Sequence, residues 1–275
     1  TFNFYLLQGW WAIERTKFSL VVATPLILSI ILPMTKEKLS VWKVFKNSVL
    51  CSLILSVFNG GGLVGLPLYG GLFAILGCYY LFFGFLYLIN KNVREFLLMN
   101  LFFVFFGFWH VLLNAYTLLP FFLTTVRSYG DIVVSSGGIT GLIEWTKYIS
   151  NDASFLNLFR LQGIPDWYNN GRFHPYSSFY LNNPILIFSS FFIPVSIFLS
   201  FVKKNRDRSL IIPFLLLVLI VSIFLTGGAH PPLGFIFEFL MKHVPGFVAF
   251  RSAIFKFGYA YWFSAAFFIG LSLST

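Results

Sequence analysis

Long apolar runs recur along the chain and alternate with short polar connectors. A helix that crosses the hydrocarbon core of a bilayer needs about 20 mostly apolar residues, and the runs approach this length. The pattern therefore predicts an all-α fold, a polytopic membrane helix bundle of about seven transmembrane helices. The predicted spans are Phe18–Met34, Val41–Phe58, Leu72–Ile89, Phe96–Pro120, Ile185–Val202, Leu210–Thr226 and Phe257–Leu273.

Three short connectors rich in Lys and Arg give the predicted orientation of these spans. They read TKEKLSVWK, NKNVRE and KKNRDR, and cytoplasmic loops typically carry such an excess of basic residues. With these three in the cytoplasm, the regions 121–184 and 227–256 fall on the extracytoplasmic side. The prediction is a single transmembrane domain over residues 1–275 in the plasma membrane. Because the chain starts without Met, we expect it to be a piece of a longer protein.

The two extracytoplasmic regions are predicted to contain short helices. The first is about 64 residues long, which is too long for a plain loop in a compact protein. It contains TGLIEWTKYI, whose apolar spacing is helical, and NLFRLQGIPDWY, which is apolar and aromatic. The second contains PPLGFIFEFLMKHVPGF, in which aromatic residues surround a lone Glu238. Both regions therefore favour short helices that lie along the membrane surface.

Composition excludes a soluble globular protein. The chain is 58% hydrophobic and only 10% charged, whereas soluble domains carry roughly 25% charged residues. The net charge is +10, but the basic residues lie between apolar runs and not together on one face. This distribution favours the positive-inside pattern over nucleic-acid binding. Cys51 and Cys78 lie in apolar segments and are expected to be inert small hydrophobic residues.

Two cations, Arg251 and Lys256, oppose the orientation trend at the outer end of the last span. Arg presents a planar fork that suits phosphate oxygens, and Lys presents a compact charge. A lipid-linked phosphate lies at this depth, so we predict that Arg251, Lys256 and Arg160 bind the phosphate of a lipid-linked donor. Anchoring to lipid headgroups is the alternative for each of them.

Other residues of the outer regions are candidates for contact with an acceptor or a sugar, since aromatic faces stack on sugar rings. A plain aromatic belt at the membrane surface is the alternative for them. These candidates are Asp166, Trp167, Tyr168, His174, Glu238 and His243.

Polar residues also occur inside the predicted fourth span. His110 and Asn114 share one stripe of this helix with Asn100. Polar groups in lipid are costly unless they face a partner or a wet cavity. Either they form hydrogen bonds between helices, or His110 and Asn114 line a membrane cavity that opens outward.

The sequence lacks the established catalytic and metal-binding motifs H-E-x-x-H, C-x-x-C, the P-loop and G-x-S-x-G. The four His have no metal-ligand spacing, so no metal site is predicted. No cofactor is identified, and a requirement for a divalent cation stays open.

Several stretches occur in an order that resembles one family. NAYTLLPFF closes a span, NLFRLQGIPDWY follows, YLNNP leads into the next span, and HPPLGFIFEFLMKHVPGFVAFRSAIFKF leads into the last. This order is similar to membrane glycosyltransferases of the GT-C class, and most similar to the arabinofuranosyltransferase-like and YfhO-like groups. Their outer loop has a Pro-Gly turn, then Phe-Arg and a span, here Pro245, Gly246, Phe250 and Arg251. The resemblance covers about residues 96–273.

The resemblance implies an inverting transfer from a polyprenyl-phosphate sugar donor to an extracytoplasmic glycan or lipid acceptor. It also implies a carboxylate base in the first outer loop, which we expect to lie before residue 1. Two other classes of function stay open. One is a membrane transporter or flippase, and the other is a non-catalytic membrane scaffold on a GT-C-like fold.

Overall fold

The computed structural model describes residues 15–58, 67, 69–135, 137–160, 162–163, 165–168, 177–202 and 210–273. These residues are all-helical and include no strand. A short 3-10 helix, Phe247–Phe250, precedes the last α-helix. The α-helices, numbered in chain order, are α1 (Arg15–Met34), α2 (Val41–Val57), α3 (Gly70–Ile89), α4 (Val93–Leu113), α5 (Ala115–Ser135), α6 (Gly138–Ser150), α7 (Phe155–Phe159), α8 (Pro165–Tyr168), α9 (Ser177–Asn182), α10 (Pro184–Ser190), α11 (Phe192–Val202), α12 (Ile211–Gly227), α13 (Gly234–His243) and α14 (Ala253–Leu273).

Four of the described helical segments are long and apolar enough to cross a membrane. They are α3, α4, α14 and the segment Pro184–Phe201, which contains α10 and most of α11. Three further apolar helical segments are shorter, namely Ser19–Met34, Ala115–Thr124 and Ile211–Gly227. The prediction of a helical membrane protein is therefore confirmed, whereas the count of seven spans is not.

Large apolar side chains are exposed on the outer faces of these candidate spans. Phe85 on α3 is 64% exposed, Phe108 on α4 is 58% exposed and Phe198 on α11 is 70% exposed. A soluble protein rarely presents such apolar faces to water over several helices. Lipid chains are the surroundings that suit them, because hydrocarbon solvates these side chains at no cost.

The predicted fourth span, Phe96–Pro120, is two helices in the structure. α4 ends at Leu113 and α5 begins at Ala115, with Asn114 between them. The side-chain amide of Asn114 donates a hydrogen bond to the carbonyl oxygen of His110 at 2.8 Å. Asn side chains that bond to nearby backbone groups favour helix ends over helix interiors. The break therefore falls at a buried polar residue, whose amide also donates a hydrogen bond to the Ser56 hydroxyl on α2.

The predicted fifth span, Ile185–Val202, is also interrupted. α10 ends at Ser190 and α11 begins at Phe192. Pro194 lies four residues after Ser190, and its ring nitrogen has no hydrogen to donate to the carbonyl oxygen of Ser190. The missing helical hydrogen bond favours a break at this point.

The helices fall into two compact units. The first unit, Ile13–Gly130, contains α1 to α4 and most of α5. Within it, α2 packs against α1 and α4, and α4 also packs against α3. The Ser52 hydroxyl donates a hydrogen bond to the Phe106 carbonyl oxygen at 2.9 Å, and the Tyr79 hydroxyl donates one to the Ile31 carbonyl oxygen at 2.9 Å. These bonds join α2 to α4 and α3 to α1.

The second unit includes Asp131–Thr275 and is organised around α14. Helices α6, α11 and α12 all pack against α14. The small residues Ala260 and Ala265 are completely buried on α14, which allows neighbouring helices to approach closely. Helix α13 packs across α6, where the Thr146 hydroxyl lies 3.4 Å from the Met241 sulfur.

Candidate functional site

A row of aromatic rings holds the segment that precedes α14. Phe237 on α13 contacts Phe247 with ring centroids 5.1 Å apart, and Phe250 contacts Phe257 on α14 at 5.1 Å. Phe247 and Phe250 lie 5.5 Å apart and complete the row. Because four rings pack in sequence, the row fixes the turn that carries Arg251 directly in front of α14.

Arg251 and Lys256 flank the start of α14, and we name them the cation pair. Helix α14 begins at Ala253, so Lys256 stands in its first turn. Lys256 Nζ donates a hydrogen bond to the carbonyl oxygen of Ala249, and the charge of Arg251 acts on Lys256. Both cationic side chains are half-buried. The pair therefore concentrates positive charge where an apolar helix begins.

The cation pair has no carboxylate partner in the part of the chain that the structure describes. The ion pairs in that part join Lys43 to Glu37, and Lys147 to Glu144 and Glu238. Two half-buried like charges repel each other, and desolvation adds to their cost when no counter-ion is present. An anion that binds between them would relieve both costs.

Arg160 lies elsewhere in the second unit, directly after α7. Its Nε donates a hydrogen bond to the Ser190 hydroxyl at 2.7 Å, and its guanidinium carbon lies 5.1 Å from the centre of the Phe191 ring. The side chain is only 9% exposed. The described contacts of Arg160 are thus at the α10–α11 break and not with the cation pair. Its predicted role in phosphate binding stays a prediction.

Asp152 and Tyr168 form a second polar cluster with Arg160 and His230. Burial raises the pKa of Tyr168 to about 12, the charge of Asp152 acts in the same direction, and Arg160 acts in the opposite direction. Burial also raises the pKa of the Asp152 carboxyl, whereas a neighbouring amide and the charge of His230 act to lower it. Tyr168 is thus within electrostatic reach of Asp152 and Arg160, and Asp152 is within reach of His230.

Ser150 fastens the turn after α12 to the end of α6. Its hydroxyl accepts a hydrogen bond from the Ala229 backbone N–H at 3.3 Å, and its carbonyl oxygen lies 3.0 Å from His230 Nδ1. A carbonyl only accepts, so His230 Nδ1 donates this hydrogen bond. His230 also lines a shallow cleft whose other walls are apolar: Ala153, Phe155, Phe224, Gly227, Gly228, Pro231 and Leu233.

The other candidate sugar contacts are spread over several elements. Glu238 on α13 lies 3.7 Å from Lys147 Nζ. His243, also on α13, is exposed and stacks on Phe239 with ring centroids 4.2 Å apart. Tyr168 belongs to the polar cluster with Asp152. Asp166 and Trp167 lie on α8. His174 lies outside the described residues.

His110 and Asn114 lie in the first unit and form a polar contact between helices. The Asn114 amide nitrogen donates a hydrogen bond to the Ser56 hydroxyl on α2 at 2.7 Å. His110 Nδ1 lies 3.3 Å from the same amide nitrogen. Asn114 is only 1% exposed. This geometry matches the polar contact considered from the sequence, and the role of the two residues in a cavity stays a prediction.

Sequence reasoning missed the contacts made by Trp145, Lys147 and Ser252. The Trp145 indole Nε1 donates a hydrogen bond to the Ser252 hydroxyl at 3.4 Å, and Lys147 Nζ lies 3.2 Å from Glu144. The i, i+3 spacing in TGLIEWTKYI could have revealed the Glu144–Lys147 pair. The contacts to Ser252 and Glu238 depend on tertiary packing and leave no local signal.

No group of three or more His, Cys, Asp or Glu side chains among the described residues is arranged to hold a metal ion. Comparisons with protein-family models, with curated proteins and with solved structures find no match for this chain.

Proposed function

We propose that this protein is an integral membrane glycosyltransferase. It takes a sugar from a polyprenyl-phosphate-linked donor and transfers it to a glycan or lipid acceptor. The reaction takes place on the extracytoplasmic face of the plasma membrane. The resemblance of segments such as NLFRLQGIPDWY to GT-C enzymes supports the type of reaction, and the cation pair supports the binding of the donor phosphate.

The cation pair is the single observation that carries the proposal. Arg251 and Lys256 are half-buried at the start of an apolar helix, and the described part of the chain offers them no carboxylate. A phosphate on a lipid reaches this depth with its chain in the hydrocarbon. Charge-assisted hydrogen bonds from Arg to phosphate are short and strong, and Lys adds a compact second charge.

The orientation of the chain also supports the proposal. If the three basic connectors lie in the cytoplasm and α12 crosses the membrane as the apolar pattern predicts, the segment before α14 lies on the other side of the membrane. Arg251 and Lys256 then stand on the side where few cations are expected. A specific anion that binds there explains why the two charges are in this position.

The cation pair would act on the leaving group of the transfer. The acceptor hydroxyl oxygen bonds to the anomeric carbon while the bond from that carbon to the phosphate oxygen breaks. The lipid phosphate leaves with the bonding electron pair, and the hydroxyl proton passes to a carboxylate base. Negative charge grows on the phosphate as the bond breaks. Two cations at the phosphate therefore stabilise the transition state more than the bound donor.

A binding experiment tests the phosphate site without requiring turnover. The protein is reconstituted in nanodiscs of phosphatidylcholine and titrated with a polyprenyl phosphate and with the matching uncharged polyprenol. We expect Arg251→Ala to weaken binding of the phosphate at least roughly tenfold, because it removes a charge-assisted contact of about 1.5–3 kcal/mol. Binding of the polyprenol should not change.

Arg94→Ala is the matched control. Arg94 is exposed on α4, so this variant loses the same charge from the other unit. Equal losses of affinity in the two variants would show that net charge alone attracts the lipid and would overturn the assignment of the site.

Transfer itself is measured with a panel of radiolabelled polyprenyl-phosphate sugars and a membrane lipid extract as acceptor. We expect sugar-dependent turnover that Arg251→Ala abolishes and Arg94→Ala retains. Movement of the donor across the bilayer without transfer would replace the proposal with a flippase. Donor binding with neither movement nor transfer would replace it with a scaffold.

A further inference from the structure

The exposed face of α6 carries two aromatic rings. Leu142, Thr146 and Ile149 are buried on the inner face of this helix, whereas Trp145 and Tyr148 point outward. Trp145 is 47% exposed and Tyr148 is 57% exposed. Their ring centroids lie 5.9 Å apart with an angle of 36° between the ring planes. The two rings thus form one open aromatic surface.

Contacts from other elements hold this surface in place. The indole Nε1 of Trp145 donates a hydrogen bond to the Ser252 hydroxyl at 3.4 Å, which ties one ring edge to the segment before α14. Lys147 Nζ lies 3.2 Å from Glu144 and 3.7 Å from Glu238. The lysine therefore draws a carboxylate from α6 and a carboxylate from α13 to the same side. Glu144 lies one helical turn before Tyr148, so a carboxylate flanks the aromatic surface.

We propose that this surface binds a sugar ring of the glycan acceptor. The rings of Trp145 and Tyr148 cover the apolar C–H face of the sugar, and oxygens of Glu144 and Glu238 accept hydrogen bonds from its hydroxyl groups. The identity of the sugar as an acceptor rests on the proposed glycosyltransferase function. Binding of a sugar to the surface does not depend on that function.

The carboxylates near the rings argue for a sugar as the occupant. Glu144 and Glu238 both pair with Lys147, and carboxylate oxygens can accept further hydrogen bonds. A neutral sugar with several hydroxyl groups finds acceptors there.

The position of the surface also suits an acceptor. Ser252, which holds the indole of Trp145, directly follows Arg251 in the chain. The aromatic surface and the proposed phosphate site are therefore parts of one continuous region of the second unit. An acceptor held on the rings would lie next to the donor held by the cation pair.

Direct sugar binding tests the inference. The protein in phosphatidylcholine nanodiscs is titrated with neutral di- to tetrasaccharides of glucose, galactose, mannose and arabinose, and tryptophan emission and calorimetry report binding. No donor lipid is added, so the result is independent of transfer. We expect at least one sugar to bind and Trp145→Ala to weaken it roughly tenfold or more. Trp145→Phe keeps an aromatic face and should retain most of the affinity.

Trp42→Ala is the matched control. Trp42 lies on α2 in the first unit, is 72% exposed and stacks on Phe45 at 5.6 Å. It thus presents an exposed ring stacked on a half-buried one, next to a single carboxylate, Glu37, that pairs with Lys43. Sugar affinity should not change in this variant. A second variant, Glu144→Gln, keeps both rings. It should weaken sugar binding, because a neutral amide oxygen accepts weaker hydrogen bonds than a carboxylate.

Three outcomes would overturn the inference. The first is that none of the sugars binds while the wild-type protein is folded. The second is that Trp145→Ala binds as tightly as wild type. The third is that spin-labelled lipids quench the emission of Trp145 and that added sugars do not prevent this quenching. The emission of Trp145 is obtained by subtracting the spectrum of Trp145→Phe from that of the wild-type protein. The third result would assign the rings to the membrane surface. Loss of donor binding with sugar binding retained would overturn only the proposed function.

Discussion

The carbonyl oxygen of Ser150 lies 3.0 Å from Nδ1 of His230, and this contact joins the end of α6 to the turn that follows α12. The same serine accepts a hydrogen bond from the backbone N–H of Ala229 through its hydroxyl. These two hydrogen bonds to Ser150 fix the turn after α12. The turn then places His230 at the apolar cleft. Close packing of this kind leaves little room for added atoms.

Gly228→Ala should open this contact and destabilise the second unit. Gly228 has φ +55°, and an added Cβ would lie 2.5 Å from the Ser150 hydroxyl oxygen and 3.0 Å from the Ala253 Cβ. Backbone strain and overlap together should lower the free energy of unfolding by about 1–3 kcal/mol. Thermal unfolding of the protein in detergent measures the change. Gly270→Ala is the control, since a Cβ there meets nothing within 4 Å and should leave stability unchanged or higher.

Asp152→Asn should change stability in a pH-dependent way. Burial raises the pKa of the Asp152 carboxyl in the folded protein. The folded state therefore disfavours the charged carboxylate. The contribution of Asp152 to stability is most favourable below the ordinary pKa of about 3.9, and it is lost as pH rises through the pKa in the folded protein. At pH 7 the variant should be more stable than wild type by less than about 1 kcal/mol, because solvent screens this partly exposed group.

Unfolding midpoints at several pH values check the Asp152 prediction. The advantage of Asp152→Asn should disappear as pH falls toward 4. Glu144→Gln is the comparison, since Glu144 is an exposed partner of Lys147 and its removal should not raise the midpoint at pH 7. An Asp152→Asn variant that is less stable than wild type at neutral pH would contradict the argument.

The positions of the helices could be predicted from the apolar runs, and some boundaries could be predicted closely. The predicted span Val41–Phe58 corresponds to α2, Val41–Val57. Its start has a local cause, because the Ser40 hydroxyl accepts a hydrogen bond from the Lys43 backbone N–H and caps the helix. The breaks at Asn114 and before Phe192 were missed. Hydropathy averages over a window and does not register one polar side chain or one proline.

The candidate site could be predicted only in part. The sequence drew attention to Arg251 and Lys256 because they oppose the charge trend, and the structure turns the Lys256 side chain back to the carbonyl oxygen of Ala249, two residues before Arg251. It also grouped Arg160 with them, yet the described contacts of Arg160 are with Ser190 and Phe191. Which cations meet depends on how helices pack, and that information is not present in the local spacing of residues.

Asn114→Ala should weaken the packing of the first unit. The Asn114 amide donates hydrogen bonds to the Ser56 hydroxyl at 2.7 Å and to the His110 carbonyl oxygen at 2.8 Å. Its loss should lower the free energy of unfolding by about 1–3 kcal/mol, as for other buried polar contacts. Ser56→Ala removes one partner only and should cost about 0.6 kcal/mol, the average for hydrogen bonds between membrane helices.

A double-mutant cycle in detergent separates the Asn114–Ser56 bond from other effects. The coupling energy should favour the pair. Ser29→Ala is the control, because the exposed Ser29 hydroxyl bonds only within α1, to the Leu26 carbonyl oxygen. Additive effects of Asn114→Ala and Ser56→Ala would show that the bond contributes nothing to stability.

Tyr261→Phe should loosen the end of α7 without disturbing the rest of α14. Tyr261 is 2% exposed, and its hydroxyl donates a hydrogen bond to the Phe159 carbonyl oxygen at 3.1 Å. The variant leaves that carbonyl without its donor, at a cost of about 0.5–1.5 kcal/mol. Hydrogen exchange should rise at residues 157–160, next to Arg160, and stay unchanged in α12. Tyr116→Phe on α5, where the ring is 74% exposed, should alter neither exchange nor the unfolding midpoint. Unchanged exchange at 157–160 in Tyr261→Phe would mean that the hydrogen bond from Arg160 to Ser190 is enough to hold this segment.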